Sequence, residues 1–377
     1  MGKIAVDKII NGLITRKVCV MHLDSLKIKN FRILEDVTIE KLGHVNLIVG
    51  KNNSGKSTVL EALALLASGF NPEVMLFISN NRNVYRHLNT KDIESKVFSI
   101  ENIISKSNED PFLNWTYIGN QSHYLTFGYV KNGKNNNLDI DREKGYSFTY
   151  FIDDRNFMNF EVKAISNRAL FMDMSENSHH MKKKACNFGY ITTNNIDLNL
   201  FASSWDKIAL TDDENLVLEM LKLIDSDITN LAFLSLVDSE TRIPFVRLKN
   251  IERRIPLHQM GDGIFRLLQI ILEIPKSKNS ILLIDEFENG LHYSVQPKVW
   301  ELIFELAHRF NIQVFATTHS WDCIESFSQV AKDRTDMEGV LFRMGHSVRK
   351  SDKGKLIATV FDEDDLYNLT KMNIEVR

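Results

Sequence analysis

The stretch that decides the fold is Val45-Asn46-Leu47-Ile48-Val49-Gly50-Lys51-Asn52-Asn53-Ser54-Gly55-Lys56-Ser57-Thr58. A short apolar segment runs directly into the pattern Gly-x-x-x-x-Gly-Lys-Ser, and a helix-forming segment from Val59 to Ala67 follows it. A phosphate-binding loop requires this context, because the loop N–H groups and the start of the helix dipole converge on one anion. The alternative is a glycine-rich turn before an ordinary helix, and the complete motif argues against it. The pattern predicts that the chain binds a nucleoside triphosphate.

The positions of this loop have expected roles. Lys56 can reach the outer phosphates, which gives it a catalytic as well as a binding role, and the Ser57 hydroxyl can hold Mg²⁺. The remaining loop positions expected to contact the nucleotide are Gly50, Asn52, Asn53, Ser54, Gly55 and Thr58. The predicted cofactors are ATP and Mg²⁺.

A second motif supplies two carboxylates. Ser280-Ile281-Leu282-Leu283-Ile284-Asp285-Glu286 has the pattern of a buried parallel strand that ends in two acidic residues. Because open α/β sheets place their ligands at strand ends, Asp285 is expected beside the phosphate loop, where it would help to hold the metal. Glu286 is expected to orient and deprotonate the attacking water. An acidic turn after a core strand is the alternative reading.

Two further segments complete the pattern. Gly261-Asp262-Gly263 opens a strongly apolar helix that ends near Ile274-Pro275, and Phe315-Ala316-Thr317-Thr318-His319 is another buried strand, closed by a histidine. Taken alone, His319 reads as a hydrogen-bonded residue at a strand end. The order of the motifs favours a functional role: phosphate loop, glycine-led helix, Asp-Glu strand, and then a strand with a terminal histidine.

This order resembles the ABC-type ATPase heads of the SMC, RecF and OLD-like proteins. Leu26-Lys27-Ile28-Lys29-Asn30-Phe31-Arg32 is similar to their opening strand, and Asn289-Gly290-Leu291-His292 resembles their D-loop region. The likeness is strongest to the OLD-like AAA-type ATPases of anti-phage defence systems such as PARIS. Their tracts Asp-Glu-x-Glu-Asn-Gly-Leu-His and Ala-Thr-Thr-His-Ser-Trp-Asp are matched at residues 285–292 and 316–322.

The resemblance implies an α/β fold, that of a P-loop NTPase of the ABC-ATPase type with a β-rich lobe and a large mixed helical insertion. It implies that His319 is the switch histidine that senses the γ-phosphate, and that the chain self-associates through its ATP sites. Two features differ from the family: Gly261 stands where transporter and SMC heads have the signature serine, and no clear Q-loop follows the first helix. The resemblance adds six nucleotide contacts: Asn30, Arg32, Gly261, Asp262, Gly263 and Asn289.

We divide the chain into five segments. They are an N-terminal extension (1–20), the first part of the ATPase domain (21–70), an insertion with a β-rich arm and a helical lobe (71–245), the second part of the ATPase domain (246–335), and C-terminal strands with a helix (336–377).

Within these segments the pattern predicts several local structures. Residues 97–163 read as strands with turns at Asn132-Gly133 and Lys144-Gly145, and residues 170–240 read as more helical. A strand pair is predicted between Leu341 and Phe361, and an acidic-led helix from Asp362 to Lys371.

Composition limits the class of protein. The 377 residues are 44 % apolar and 25 % charged, as in an ordinary globular protein. The cysteines Cys19, Cys186 and Cys323 form no C-x-x-C pair, so neither a disulfide framework nor a zinc hook is indicated. No apolar run approaches the roughly 18 residues of a membrane span, and Met1 to Val20 lacks a signal-peptide core. We expect a cytoplasmic protein without membrane contact.

The net charge of −3 gives no overall basic bias towards nucleic acid. Two local basic tracts remain, a polar loop at residues 179–184 and a likely strand pair that carries Arg242, Arg247, Lys249, Arg253 and Arg254. Such tracts are more often solvated faces than phosphate contacts, and DNA stays an alternative partner. His179, His180 and Cys186 have the spacing of no familiar metal site.

The segment after His319 bears on the effector. OLD nucleases that resemble this head carry a metal-dependent Toprim nuclease domain after it, and a βα domain of that kind needs about 100 residues. The segment is shorter than that, and Asp362-Glu363-Asp364-Asp365 fits an acidic first helical turn better than a catalytic cluster. We expect any nuclease or toxin effector on another polypeptide.

The sequence thus predicts an ATP-hydrolysing sensor or switch in an anti-phage defence complex, controlling a separate effector subunit that resembles a Toprim nuclease. Two alternatives stay open. One is a RecF-like repair ATPase that clamps on DNA, and the other is a scaffold that binds ATP with little turnover.

Overall fold

The computed structural model describes residues 22–71, 74–75, 77–78, 98–99, 115–131, 146–152, 155–166, 169–172, 188–193, 198–222, 225–235, 241–334, 336–352 and 354–361. Several sequence predictions lie outside these residues: the extension 1–20, the turns at 132–133 and 144–145, the loop 179–184, and the helix predicted from Asp362 to Lys371.

The described strands are β1 (Leu26–Phe31), β2 (Leu34–Ile39), β3 (Val45–Val49), β4 (Phe98–Ser99), β5 (Thr116–Gly119), β6 (Tyr124–Lys131), β7 (Tyr146–Ile152), β8 (Arg155–Ser166), β9 (Ala169–Met172), β10 (Gly189–Ile191), β11 (Ile228–Ser235), β12 (Arg242–Leu248), β13 (Ile255–Pro256), β14 (Ile281–Ile284), β15 (Gln313–Thr317), β16 (Gly339–His346) and β17 (Leu356–Phe361). The helices are α1 (Lys56–Ala67), α2 (Leu198–Asp206), α3 (Asp212–Leu221), α4 (Asp262–Glu273), α5 (Gln296–Phe310) and α6 (Trp321–Asp333).

The centre of the molecule is a six-stranded sheet with the order β10-β14-β15-β3-β16-β17. The pairs from β10 to β16 are parallel, and β17 closes one edge in antiparallel orientation. β3, β14 and β15 are buried at every position, as expected of parallel strands covered on both faces. The sheet therefore confirms the predicted α/β fold.

Register places the three sequence motifs at one edge of this sheet. Ile284 pairs with Ala316, and Thr317 pairs with Ile48. The phosphate loop follows β3, the two carboxylates follow β14, and His319 lies just beyond β15. Because the carboxyl ends of parallel strands meet at one edge, motifs far apart in sequence become neighbours.

Two hydrophobic cores cover the two faces of the sheet. Successive side chains of a strand point to opposite faces, so Ile48 enters the first core whereas Leu47 and Val49 enter the second. The first core is shared with β1, β2 and α1. The second is shared with α4, α5 and α6. Helix α1, which begins at the phosphate loop, is thus fixed by burial along nearly its whole length.

A second sheet is the β-rich part of the molecule. Its order is β2-β1-β5-β6-β7-β8-β9-β4, and every described pair in it is antiparallel. The strands predicted between residues 97 and 163 are therefore present, and they continue the sheet that β1 and β2 begin.

The expectation of a mainly helical segment from 170 to 240 is only partly correct. It contains α2 and α3, but also β10 and β11. β10 has three residues, too few to show a periodicity, and it is a strand because it joins the edge of the central sheet beside β14. β11 pairs with β12, which in turn pairs with β13, to form a small antiparallel sheet.

The predicted C-terminal strand pair is confirmed. β16 and β17 pair from Leu341–Phe361 to His346–Leu356, and a short 3₁₀ turn at Lys350–Asp352 lies in the connection. None of the helices among the described residues is long and apolar enough to span a membrane.

Candidate nucleotide-binding and hydrolysis site

The phosphate loop has the backbone that its glycines allow. Gly50 and Gly55 have φ values of 146° and 92°, in the region that favours glycine. A Cβ on Gly55 would lie 2.9 Å from Leu34 Cδ2, and one on Gly50 would overlap the carbonyl oxygen of Met344. The loop is therefore packed tightly against β2 and β16. Asn52 and Asn53 are exposed at its tip, whereas Ser54 is buried.

Lys56 lies folded inside the loop. Its Nζ donates to the carbonyl oxygens of Gly50 at 2.6 Å and Lys51 at 3.1 Å. Burial lowers the pKa of this ammonium group, and the carboxylates of Asp285, Glu288 and Glu286 act in the opposite direction. Lys56 is thus a buried cation whose hydrogen-bond partners among the described residues are neutral carbonyl oxygens, at the position where a phosphate chain would give it anionic ones.

Ser57 and Asp285 meet as the sequence predicts. Ser57 Oγ donates to Asp285 Oδ1 at 3.0 Å, and Thr317 Oγ1 donates to the same oxygen at 2.6 Å. The Asp285 N–H donates to the carbonyl oxygen of Ile191 at 2.8 Å, which ties the end of β14 to β10. This hydroxyl and carboxylate are hard oxygen donors of the kind that Mg²⁺ takes when phosphates complete its coordination, so the residues fit that metal.

Glu286 is held in a strained conformation. Its φ is 49°, a left-handed value that costs a non-glycine residue about 1–3 kcal/mol. Its N–H donates to Thr317 Oγ1 at 2.9 Å, and its carbonyl oxygen accepts from Arg266 Nη2 at 3.0 Å. The following N–H, of Phe287, donates to the carbonyl oxygen of Thr317 at 2.9 Å. These bonds fix the backbone that carries the predicted general base.

Arg266 is buried beneath the two carboxylates. Besides Glu286, its Nη2 donates to the carbonyl oxygen of Asp285 at 2.5 Å, and its Nη1 donates to Thr192 O at 3.2 Å and Gln269 Oε1 at 3.1 Å. Burial lowers its pKa to about 10, with the nearby carboxylates opposing the shift, so it stays protonated at neutral pH. Arg266 therefore joins α4 to the ends of β14 and β10.

The predicted switch histidine lies at the same edge. His319 follows β15 with an exposed ring, and its backbone N–H donates to Glu288 Oε1 at 3.0 Å. The ring Nδ1 also lies 3.0 Å from Glu288 Oε1. Glu288 is three residues beyond Asp285 and nearly buried, so it connects the Asp-Glu turn to the histidine.

The glycine-led turn lies close to the segment that follows the Asp-Glu turn. Gly261 is exposed, with a φ of 98°, and a Cβ there would meet nothing within 4 Å in the described residues. A Cβ on Gly263 would lie only 2.8 Å from the carbonyl oxygen of Gly290. The side chain of Asp262 lies outside the described residues. Asn289 is exposed, and its N–H donates to Glu286 O at 3.0 Å.

Three of the remaining predicted contacts are engaged or buried within the protein. Asn30 Nδ2 donates to the carbonyl oxygen of Trp115 at 3.0 Å, and Arg32 Nη1 lies 3.3 Å from Glu61 Oε2 in a buried ion pair. Thr58 is buried on α1. The nucleotide-contacting roles of these residues stay predictions.

The sequence reasoning missed Thr317, Glu288 and Arg266. Glu288 stands in the Asp-Glu-x-Glu tract, and Arg266 is the only charged residue between Asp262 and Glu273 in an apolar helix, so both left a signal in the sequence. Thr317 left none, because a threonine at a strand end is common.

The fold and the site define a P-loop ATPase of the class to which SMC and RecF heads belong. A model of the family described as "AAA domain, putative AbiEii toxin, Type IV TA system" matches residues 45–322, and the chain belongs to that family.

Individual relatives agree with this class. The chain is 25% identical over 367 residues to a Helicobacter pylori protein named "ATP/GTP phosphatase", covering 83% of this chain and 89% of that protein. It is 49% identical over 49 residues to the RecF protein of Pseudoalteromonas atlantica, which is 13% of this chain and 14% of RecF. The Smc head domain of Pyrococcus furiosus, solved with the C-terminal domain of ScpA, superposes with a TM-score of 0.50 at 13% identity, over 94% of this chain and 100% of that chain. This last likeness concerns the fold.

Proposed function

We propose that this chain is a Mg²⁺-dependent ATPase that works as a switch in a defence or toxin system and acts on a separate effector polypeptide. The observation that carries the proposal is the convergence at one sheet edge of a buried lysine, a hydroxyl–carboxylate pair, a restrained glutamate and a histidine. Each belongs to a different motif, and together they are the groups that ATP hydrolysis needs.

The chemistry follows from the positions of these groups. Lys56 exchanges its carbonyl partners for β- and γ-phosphate oxygens, which give the ammonium group an anionic partner in a buried place. Ser57 and Asp285 hold Mg²⁺, which when bound neutralises the charge that develops on the phosphates. Glu286 accepts the proton of the attacking water, and its restrained backbone fixes the point from which the carboxylate side chain extends.

The switch is argued from Arg266 and the turn that precedes it. Arg266 binds the carbonyl oxygens of both Asp285 and Glu286, and it lies on α4, which the Gly261-Asp262-Gly263 turn opens. A change at the carboxylates during hydrolysis is therefore transmitted to an exposed turn. We propose that this turn completes the ATP site of a second copy of the chain, so that association depends on the bound nucleotide.

The role in defence is supported by similarity. The family description names a putative toxin and a Type IV toxin–antitoxin system, and the tracts at residues 285–292 and 316–322 resemble those of anti-phage ATPases. The relative named as an ATP/GTP phosphatase supports turnover of nucleotide by this chain.

The test of the proposal is phosphate release from MgATP by the purified chain. Lys56→Ala is the inactive variant, and Lys51→Ala is its control. Lys51 is exposed, and among the described residues only its backbone carbonyl oxygen is hydrogen-bonded. We expect release from the wild type and from Lys51→Ala, and a loss of ATP affinity in Lys56→Ala. Equal release by all three proteins would contradict the assignment. Control of an effector can be tested by copurification with the product of the neighbouring gene. Copurification in the presence of ATP but not of ADP would support it.

A second function, clamping on DNA, is favoured by one surface. Val246 pairs with Ile255, and the residues next to them in the chain, Arg247 and Arg254, are both exposed and form no ion pair with a carboxylate among the described residues. Two exposed guanidinium groups on neighbouring segments give this surface a local positive charge, which a polyanion would neutralise. If DNA is the ligand, duplex binding should depend on ATP and weaken steeply with salt, and Arg247→Ala should reduce the salt slope by about one.

A further inference from the structure

Glu288 makes two contacts to one residue through one oxygen. Glu288 Oε1 accepts the backbone N–H of His319 at 3.0 Å and lies 3.0 Å from its ring Nδ1. The Glu288 side chain is 12% exposed, whereas the His319 side chain is 55% exposed. The carboxylate is therefore a nearly buried, fixed group, and it holds both the backbone and the ring of the histidine.

This contact decides which ring nitrogen carries the proton. An ionised carboxylate carries no hydrogen and can only accept hydrogen bonds. The ring must therefore present Nδ1–H to it. In the neutral ring the proton is then on Nδ1, and Nε2 carries the lone pair. Nε2 can accept a hydrogen bond from a water molecule, but it cannot donate one to a phosphate oxygen.

The second carboxylate oxygen of Glu288 makes no hydrogen bond in the described part of the chain that would compete with the contact to His319. Oε2 of Glu288 is buried and has no hydrogen-bond partner among the described residues. Burying a carboxylate oxygen without a partner is costly, so Glu288 holds His319 at a cost in stability. The charge of this carboxylate also acts on Lys56 and Arg266, whose pKa values it raises against the effect of burial. Glu288 is therefore close enough to the phosphate site to act on its cations, although its main contacts are with His319.

From this geometry we infer that Glu288 is a positioning residue for hydrolysis, which fixes the Nδ1–H tautomer of His319 so that Nε2 accepts a hydrogen bond from the attacking water. In this arrangement His319 senses the γ-phosphate through the water beside it. Glu286 takes the proton of that water, and His319 holds its second hydrogen, so two acceptors orient one nucleophile. The inference rests on the proposed ATP hydrolysis at this site.

The tautomer can be measured without ATP turnover. The ¹⁵N chemical shifts of the His319 ring distinguish Nδ1–H from Nε2–H in the whole chain at a pH where the ring is neutral. Glu288→Gln keeps an oxygen that accepts from both N–H groups, whereas Glu288→Ala keeps neither contact. We expect Nδ1–H in the wild type and in Glu288→Gln, and a shift towards Nε2–H in Glu288→Ala. Nε2–H in the wild type would overturn the inference.

Kinetics supply the second measurement. Misplacing a catalytic group by about 1 Å can cost about 100-fold in rate, so we expect Glu288→Ala to lose up to about 100-fold in kcat while the KM for ATP changes little. Glu288→Gln should recover most of the rate. In a His319→Ala background, Glu288→Ala should cost nothing further, because both changes remove the same function. An equal additional loss in that background would show that Glu288 does not act through His319. If the wild type has the Nδ1–H tautomer but no ATPase activity, the proposed function fails and the tautomer assignment stands.

Discussion

At the residue scale, the site depends on one strained position. Glu286 has a left-handed backbone that a glutamate adopts only under restraint. Its N–H donates to Thr317 and its carbonyl oxygen accepts from Arg266, and these two bonds supply that restraint. Strain of this kind persists where the surrounding structure over-determines it, which is typical of active sites. The predicted base is therefore placed by its neighbours at a cost in stability.

Glu286→Gln should keep ATP binding and nearly abolish turnover. The amide has the same shape as the carboxylate and leaves the hydrogen bonds of the backbone intact, but it cannot accept the proton of the water. The loss of a positioned base typically costs about 10²–10⁴-fold in rate. Calorimetry of ATP binding and phosphate release together test this expectation. Unchanged steady-state hydrolysis would refute the role of Glu286.

The strain itself can be measured by comparing two inactive variants. Glu286→Gly and Glu286→Ala both remove the carboxylate, but only glycine adopts a φ of 49° without steric cost. We expect Glu286→Gly to be more stable than Glu286→Ala by about 1 kcal/mol, within the range for left-handed residues. Denaturant unfolding measures the difference. An alanine variant of equal or greater stability would mean that the position is not strained in solution.

At the element scale, the buried guanidinium group of Arg266 links α4 by hydrogen bonds to the central sheet. The guanidinium group of Arg266 reaches the carbonyl oxygens that end β14 and β10, so the helix and the two strands share one set of hydrogen bonds. A guanidinium group has several donors in a fixed plane, and the ammonium group of lysine cannot reproduce them. The hydrogen-bonded link between α4 and these strand ends thus depends on one side chain, in addition to the packing of α4 in the second core.

Arg266→Lys should therefore reduce both stability and turnover. A lysine leaves at least one buried carbonyl oxygen without its donor, and each unsatisfied group costs about 1–3 kcal/mol. The denaturation midpoint and kcat should fall together. Arg247→Lys, an exposed exchange of the same chemistry, is the control and should stay within about 0.5 kcal/mol of the wild type. If Arg266→Lys keeps the stability and kcat of this control, the hydrogen bonds of Arg266 do not link α4 to the site.

At the scale of the whole molecule, the question is whether one site needs two chains. Gly263 is a poor position for testing this, because a Cβ there would lie 2.8 Å from the Gly290 carbonyl oxygen of the same chain. Gly261 is better, since the space around it is open among the described residues. A side chain at Gly261 would obstruct a partner rather than its own chain, although its φ of 98° adds backbone strain.

Mixing two inactive proteins tests the composite site. Lys56→Ala lacks the phosphate contact, and Gly261→Arg blocks the turn that we propose completes the site of a partner. Each should be inactive alone, and the mixture should restore about one working site per mixed dimer. Gly261→Ala is the control for strain and should keep more activity than Gly261→Arg. Mixed dimers that form without activity would rule out composite sites.

The sequence by itself determined the parts of this protein whose chemistry lies in contiguous residues. The phosphate loop, the Asp-Glu strand end and the C-terminal hairpin were predicted because their residues combine a strand or helix pattern with a characteristic chemistry over a few positions. The α/β class followed from the buried strands and the order of the motifs. β10 and β11 were missed, because pairing with distant strands makes them strands.

Only the tertiary structure decided how these parts meet. The bonds from Thr317 to Asp285, from Arg266 to Glu286 and from His319 to Glu288 join residues of different elements. They exist because β14 and β15 pair with Ile284 beside Ala316, and because α4 packs under the end of β14. A strand pattern shows which faces of a strand are buried, but it does not state the neighbour or the register. The strained base, its buried cation and the tautomer of the histidine all depend on that register.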